Sequence, residues 1–130
     1  KIGLQYITQN SPDNIRELSK FNKPIFYDGK FFDIKNTLVE SIRSLKKLKV
    51  NYATIHLLNG LDSLKAANKA AKKLKCFTPG IRQDEIKHDQ KRTMNATQAL
   101  KEGSDCLIIG RPITKGNPKK NIQKILSSMN

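Results

Sequence analysis

The sequence predicts an α/β fold in which parallel strands form a sheet that is covered by helices. Short apolar runs alternate along the chain with longer amphipathic stretches, so strand and helix follow each other in turn. The apolar runs, such as residues 106–109, lack alternating polar positions, which is typical of strands that are buried on both faces. Ligands of such sheets bind at the carboxyl ends of the strands, so the residues that follow each strand are the candidate site residues.

Turn and capping residues set the expected boundaries of these elements. Strands are predicted at residues 24–28, 52–57, 76–78 and 106–109. Helix starts are predicted at Ser11-Pro12, Asn36, Asn95 and Asn117-Pro118, because these residue types cap helix N-termini. In the last helix, Ile122, Ile125 and Leu126 have the spacing of a face directed at the core.

Length and charge limit the classes of protein that fit. The chain has 130 residues, enough for one compact domain but not for a complete (β/α)₈ barrel, which needs roughly 200 residues or more. Lys plus Arg is 25 and Asp plus Glu is 11, a formal charge of +14. Most of this charge is lysine on amphipathic stretches, without interleaved aromatic residues. Solvated helix faces are therefore favoured, and a nucleic-acid-binding surface is the second interpretation.

The cysteines and the apolar runs indicate a cytoplasmic protein. No apolar run approaches the ~18 residues of a membrane span, and no signal-type stretch follows the basic N-terminus. Cys76 and Cys106 each lie beside an apolar run, which predicts buried, reduced thiols. Neither has a second Cys or a His at metal-ligand spacing, so the sequence predicts no metal site.

Charged residues follow the first predicted strand closely. Asp28, Lys30 and Asp33 fall within six positions. Charges at a strand exit need partners or a ligand, because desolvating them alone is costly. An Asp–Lys–Asp array would keep Lys30 protonated and aimed. A solvated loop, with Asp33 capping the next helix, is the alternative interpretation.

Two further strand exits carry a glycine and an arginine. Gly110 and Arg111 follow the last strand, and the turn Thr78-Pro79-Gly80-Ile81-Arg82 follows the strand before it. A glycine lets backbone N–H groups approach an oxyanion, and arginine supplies a forked donor. Together with the acid–base cluster, these turns predict a small phosphorylated substrate and an acid–base step.

In their order along the chain, these segments resemble the orotidine 5′-phosphate decarboxylase family. The family's Asp-x-Lys-x-x-Asp array and its following Ile-x-Asn-Thr run correspond to residues 28–37. Its Thr-Pro-Gly-Ile-Arg, Asp-Gln-x-Arg and Ile-Gly-Arg-Pro-Ile-Thr elements correspond to residues 78–82, 89–92 and 109–114. Lys1-Ile2-Gly3 is similar to the family's Lys-Val-Gly. The array is shared with sugar-phosphate relatives such as hexulose-phosphate synthases, whereas the two middle elements favour the decarboxylase.

The resemblance implies a fold derived from the (β/α)₈ TIM barrel and a carboxy-lyase of pyrimidine synthesis. Such an enzyme converts orotidine 5′-phosphate to uridine 5′-phosphate and carbon dioxide without a metal or organic cofactor. By the same resemblance, Lys30 protonates the vacated ring carbon, Asp28 faces the leaving carboxylate and Lys1 completes the network. Asp33 and Thr37 would reach into the site of a neighbouring subunit in a homodimer. The residues implied to hold the nucleotide, chiefly its phosphate, are Arg82, Gln90, Gly110 and Arg111.

The chain also departs from the family's pattern. The resemblance implies a single domain, residues 1–130, that lacks the family's first strand and a middle block between Lys75 and Cys76. An incomplete barrel is therefore expected, with open sheet edges. A remnant that binds nucleotide or phosphate without catalysis is the alternative function, and a basic module that binds nucleic acid is a third.

Overall fold

One five-stranded parallel sheet organises the computed structural model, which describes residues 1–81 and 95–129. The strands lie side by side in chain order, and every neighbouring pair is parallel. They are β1 (Ile2–Gly3), β2 (Phe26–Phe31), β3 (Tyr52–Ile55), β4 (Lys75–Pro79) and β5 (Cys106–Ile108). Their carboxyl ends therefore share one edge of the sheet, as the sequence predicts.

Helices connect the strands. They are α1 (Leu4–Gln9), α2 (Pro12–Glu17), α3 (Lys35–Lys47), α4 (Leu61–Ala71), α5 (Ala96–Lys101), α6 (Arg111–Thr114) and α7 (Pro118–Ser127), with 3₁₀ turns at Leu18–Phe21 and Leu57–Asn59. The predicted caps Ser11, Asn95 and Asn117 each accept a hydrogen bond from the backbone N–H three residues later. Among the described residues, no helix combines the length and apolar character that a membrane crossing requires.

The core lies between the sheet and the helices α3 and α4. Leu38 and Ile42 on α3, Ile55 on β3 and Leu64 on α4 are fully buried side chains of this layer. Burial of each such side chain contributes about 1.5–3 kcal/mol. The core therefore holds the middle strands firmly and fixes the positions at which they end.

Strand β4 contains the Lys75–Cys76 junction and pairs directly with β3. Ala53 of β3 pairs with Cys76 of β4, and the Lys75 N–H donates to the Asn51 carbonyl at 2.9 Å. The outer strands β1 and β5 each have a neighbour on one side only within the described residues. The sheet is thus an open, incomplete barrel.

Two predicted boundaries at the first strand exit are wrong. Strand β2 does not end at Asp28 but continues to Phe31, because a bulge lets the chain stay beside β3. Helix α3 begins at Lys35, with Ile34 and not Asn36 at the cap position. The side chain of Asn59 accepts a hydrogen bond from the Asp33 N–H at 2.9 Å, which fixes the turn before Asn36 is reached.

The last helix buries less of its predicted face than expected. Ile125 is buried, but Ile122 is 41% exposed and Leu126 is 56% exposed. Helix α7 therefore contacts the core chiefly through Ile125. The part of the chain that the structure describes offers no element that covers the other two side chains.

Candidate active site

Three charged groups meet at the carboxyl end of β2. The Lys1 ammonium donates to Oδ2 of Asp28 at 2.8 Å, and the Lys30 ammonium donates to Oδ1 at 2.9 Å. The hydroxyl of Thr54 also donates to Oδ1, at 3.1 Å. Lys1 lies beside Asp28 because β1 pairs with β2, with Gly3 opposite Asp28. One carboxylate thus holds two ammonium groups in fixed positions.

Burial differs sharply between the carboxylate and its partners. The Asp28 side chain is 9% exposed, whereas those of Lys1 and Lys30 are 59% and 52% exposed. Burial by itself raises the pKa of the Asp28 carboxyl, but the hydrogen bonds from Lys1, Lys30 and Thr54 and the charge of Lys30 outweigh it. The pKa of Asp28 consequently lies below its ordinary value. The carboxylate is charged at neutral pH, and the Lys30 ammonium faces solvent where a ligand can reach it.

A bulge in β2 directs these side chains. Tyr27 pairs with Ala53 and Phe31 pairs with Ile55, so residues 28–30 stand opposite the single residue Thr54. Lys30 has φ +48°, a left-handed conformation that non-glycine residues adopt rarely. Such local strain is found where surrounding contacts impose it, often at functional sites.

Gly29 leaves room for an aromatic ring inside this bulge. The rings of Tyr27 and Phe31 are stacked, 5.5 Å apart and 8° from parallel. A Cβ atom at position 29 would lie 2.7 Å from Cε1 of Tyr27, which is closer than real Cβ contacts. The absence of a side chain at Gly29 therefore permits the stacked pair that braces the bulge.

Asp33 does not join Lys30 in an Asp–Lys–Asp array, so that expectation is wrong within one chain. Its Oδ1 accepts a hydrogen bond from the N–H of Ile34 at 2.7 Å, and no ion pair links it to a described residue. The reason is geometric: Lys30 turns toward Asp28 within the bulge, whereas Asp33 lies beyond the end of β2. Asp33 and Thr37 are both exposed, Asp33 in the turn after β2 and Thr37 in the first turn of α3.

Asn59 is a residue of this region that is not among the predicted site residues. Its Nδ2 donates to the carbonyls of Phe31 at 2.7 Å and His56 at 2.6 Å, and its Oδ1 accepts from the Asp33 N–H. One side chain thus ties the exit of β2 to the exit of β3. Its position before Gly60, after a predicted strand, was the available signal.

The predicted phosphate-binding residues fall into two groups. Gly110 and Arg111 are exposed and follow β5, at the same sheet edge as Lys30. Strands β2 and β5 are three spacings of about 4.8 Å apart, which is about 14 Å in a flat sheet and less in a curved one. Arg82 and Gln90 lie outside the described residues.

His56 and the two cysteines take structural positions. Nδ1 of His56 accepts a hydrogen bond from the Leu58 N–H at 3.2 Å, and its ring lies 6.0 Å from that of Phe32. Burial, with a contribution from Asp105, raises the pKa of the Cys76 thiol to about 12. Cys76 is buried as expected, whereas Cys106 is half-buried, and neither is in a disulfide. In residues 1–81 and 95–129, no group of His, Cys, Asp or Glu forms a metal-binding cluster.

A cavity of about 350 Å³ lies at the opposite, amino-terminal edge of the sheet. Its lining comprises Lys46, Val50, Asn51, Ala71, Lys72, Lys73 and Leu74. These residues precede β3 and β4, so the cavity is remote from Lys30. Its lysines lie at the carboxyl ends of α3 and α4, where positive charge offsets the helix dipole. This placement agrees with solvated helix faces.

Comparisons with known proteins extend over nearly the whole chain. The model of the Orotidine 5'-phosphate decarboxylase / HUMPS family matches residues 1–76 and 71–125. A relative from Wolbachia pipientis subsp. Culex pipiens, named orotidine 5'-phosphate decarboxylase, is 28% identical over 194 residues, covering 99% of this chain and 86% of the relative. A relative of the same name from Lawsonia intracellularis is 29% identical, with the same shares covered.

A solved structure shares the fold. The orotidine 5'-phosphate decarboxylase of Lactobacillus acidophilus superposes with a TM-score of 0.59 at 20% identity, over 99% of this chain and 85% of that chain. At this identity the likeness concerns the fold, which is the TIM barrel, here incomplete. The family model, by contrast, matches far more than half of the sequence. This chain belongs to the orotidine 5'-phosphate decarboxylase / HUMPS family.

Proposed function

We propose that this protein converts orotidine 5′-phosphate to uridine 5′-phosphate and carbon dioxide. The observation that carries the proposal is the Lys1–Asp28–Lys30 network, in which a buried carboxylate holds an accessible ammonium group at a strand exit. Membership of the family and the names of the relatives from Wolbachia and Lawsonia give the chemistry its context.

In the proposed reaction, Lys30 is the acid. The bond between the carboxylate and the pyrimidine ring breaks, carbon dioxide leaves and the electron pair remains on the ring carbon. The Lys30 ammonium stabilises that negative charge and then donates a proton to the carbon. Asp28 faces the leaving carboxylate and holds the Lys30 ammonium in place through its Oδ1, while Lys1 occupies the second carboxylate oxygen. Solvent returns a proton to Lys30, so no cofactor is needed.

The phosphate is assigned to the exit of β5. Arg111 offers a forked donor and Gly110 an unobstructed backbone, because no described residue other than its chain neighbours lies within 4 Å of a Cβ built on Gly110. Arg82 and Gln90 complete this set in the proposal. Because the phosphate is remote from the reacting carbon, its binding energy can position the pyrimidine against Lys30.

A homodimer in the cytoplasm is part of the proposal. Asp33 and Thr37 are exposed and form no hydrogen bond or ion pair with Lys30, so each is available to the site of a second subunit. The exposed apolar side chains Phe32 and Ile34 flank Asp33 and suit a subunit interface. The shared site would give each Lys30 the second carboxylate that one chain does not supply.

We also propose that residues 1–130 form one domain that lacks a middle block of the family fold between Lys75 and Cys76. The family model matches in two pieces that meet at residues 71–76. The span aligned with the Wolbachia relative, 194 residues, exceeds the 130 residues of this chain by 64, so at least that many positions have no counterpart here. Direct pairing of β3 with β4 across this junction is compatible with a fold closed over the deletion.

Release of labelled carbon dioxide from carboxyl-labelled orotidine 5′-phosphate tests the proposal. We expect release by the wild type and a decrease of about 10²–10⁴-fold in Lys30→Ala, the range for loss of a general acid. Lys69→Ala, on the exposed face of α4, is the matched control and should retain the wild-type rate. Equal rates in wild type and Lys30→Ala would refute the role of Lys30. A wild type that uridine 5′-phosphate stabilises thermally, yet that releases no carbon dioxide, would instead identify a binding remnant.

A further inference from the structure

Thr54 stands opposite the bulge that carries Asp28 and Lys30. Its side chain is almost completely buried, with 1% of the residue exposed. The Lys30 N–H donates to its Oγ1 at 2.7 Å, and Oγ1 donates in turn to Oδ1 of Asp28 at 3.1 Å. Nothing in the sequence marks this threonine, which lies within an apolar strand.

The bulge explains why a hydroxyl is needed at this position. Three residues of β2 face one residue of β3, so the Lys30 N–H loses the regular ladder partner that a strand would give it. A buried N–H without an acceptor is costly. The Thr54 hydroxyl replaces the missing carbonyl and holds Lys30 in its left-handed conformation.

The direction of the hydrogen bonds links the backbone of Lys30 to its own ammonium group. Because Oγ1 of Thr54 accepts from the Lys30 N–H, its single proton is directed to Asp28. The same oxygen of Asp28, Oδ1, accepts from the Lys30 ammonium at 2.9 Å. Backbone, hydroxyl, carboxylate and ammonium therefore close one ring, and Lys1 occupies the other carboxylate oxygen.

We propose that Thr54 is a positioning residue of the active site, which sets the orientation of the Asp28 carboxylate and thereby the place of the Lys30 ammonium. It touches no reacting atom and acts through Asp28 and Lys30. The expected effect of Thr54 on kcat/KM rests on the proposed function. Its effect on Asp28 can be measured without turnover.

Substitutions that separate the hydroxyl from the volume of the side chain test this assignment. Thr54→Val keeps the shape and removes the hydroxyl, and Thr54→Ser keeps the hydroxyl. Thr78→Val is the matched control, because Thr78 is equally buried on the adjacent strand and its Oγ1 has no hydrogen-bond partner among the described residues. If Thr54→Val does not fold, Thr54→Ala takes its place.

The first readout is the titration of the Asp28 carboxyl by carbon-13 NMR, assigned with Asp28→Asn. Removal of the Thr54 donor should raise the pKa of Asp28 towards its ordinary value in Thr54→Val, and Thr54→Ser and Thr78→Val should titrate like the wild type. An unchanged titration in Thr54→Val would overturn the assignment.

The second readout is the pH dependence of kcat/KM for orotidine 5′-phosphate. We expect Thr54→Val to lose about tenfold in kcat/KM, the effect of one hydrogen bond to a charged group, with its acidic limb moved to higher pH. Thr54→Ser should restore both. A loss of activity that serine does not restore would overturn the positioning role. If the wild type has no turnover but the Asp28 titration responds as expected, the proposed function fails and the role of Thr54 in placing Asp28 stands.

Discussion

Replacement of Asp28 by asparagine isolates the contribution of the charged network to stability. The substitution keeps the size of the side chain and one acceptor oxygen, but removes the negative charge that holds Lys1 and Lys30. Since the pKa of Asp28 lies below its ordinary value, its partners outweigh the cost of burying the carboxylate. Asp28→Asn should therefore destabilise the fold, because it leaves two ammonium groups without their carboxylate.

The size of the effect follows from the geometry of the two ion pairs. Hydrogen bonds to charged groups contribute about 1.5–3 kcal/mol, and exposed ion pairs about 0.2–1 kcal/mol. Each pair here joins a buried carboxylate to an ammonium that is more than half exposed. We therefore assign about 1 kcal/mol to each pair after screening, and expect a loss of about 1–2 kcal/mol for the substitution at pH 7.

The sign of the pH dependence is fixed by the direction of the pKa shift. A carboxyl whose pKa is lowered by folding contributes stability above the pKa of the unfolded chain, about 3.9 for aspartate. That contribution is lost as the pH falls through the folded pKa. Wild type and Asp28→Asn should differ most near pH 7, and the difference should shrink as the pH falls below about 3.9.

Urea unfolding at fixed protein concentration, measured at pH 7 and at pH 3, provides the assay. Glu40→Gln is the control, because it removes an exposed ion pair with Arg43 on one face of α3 and should cost less than about 0.5 kcal/mol. Equal losses in the two variants would contradict the reasoning. So would a loss in Asp28→Asn that is as large at pH 3 as at pH 7.

Three further predictions concern the core, the second strand exit and the cysteines. Ile42→Ala removes a fully buried side chain and should lower the free energy of unfolding by about 2–5 kcal/mol in urea titrations; a loss below about 1 kcal/mol would contradict the packing described. Asn59→Ala removes two side-chain donors to the carbonyls of Phe31 and His56, each of which keeps a backbone N–H, and leaves the Asp33 N–H without its acceptor. It should cost about 1–3 kcal/mol, with faster hydrogen exchange at Asp33. Because burial raises the pKa of Cys76 to about 12, a thiol reagent at pH 8 should modify Cys106 first, and equal rates, measured by mass spectrometry, would show that Cys76 is accessible.

Several features of the site could be inferred from the sequence because they depend on near neighbours. Asp28 and Lys30 are two residues apart, so their proximity follows from the chain itself, and the apolar run before them predicts a strand exit. The family resemblance added Lys1, which lies 27 positions away from Asp28. Spacing alone did not predict the position of Asp33, because the chain leaves β2 at Phe31, two residues before Asp33.

The partners that lie across the sheet could not be inferred. Thr54 contacts Asp28 only because a bulge shifts the register between β2 and β3, and no residue type in β3 predicts that shift. The role of Asn59 depends in the same way on the carbonyl of Phe31, which belongs to the neighbouring strand.

Local patterns in the chain are sufficient to predict the alternation of parallel strands and helices, the capped helix starts at Ser11, Asn95 and Asn117, and the charged exit of the second strand. These features arise from hydrogen bonds and hydrophobic periodicity within a few residues. The bulge, the burial of Asp28, the direct pairing of β3 with β4 and the exposure of Leu126 depend instead on the assembled fold. Register, burial and pKa depend on groups that are distant along the chain, so they take their values only when the strands are assembled.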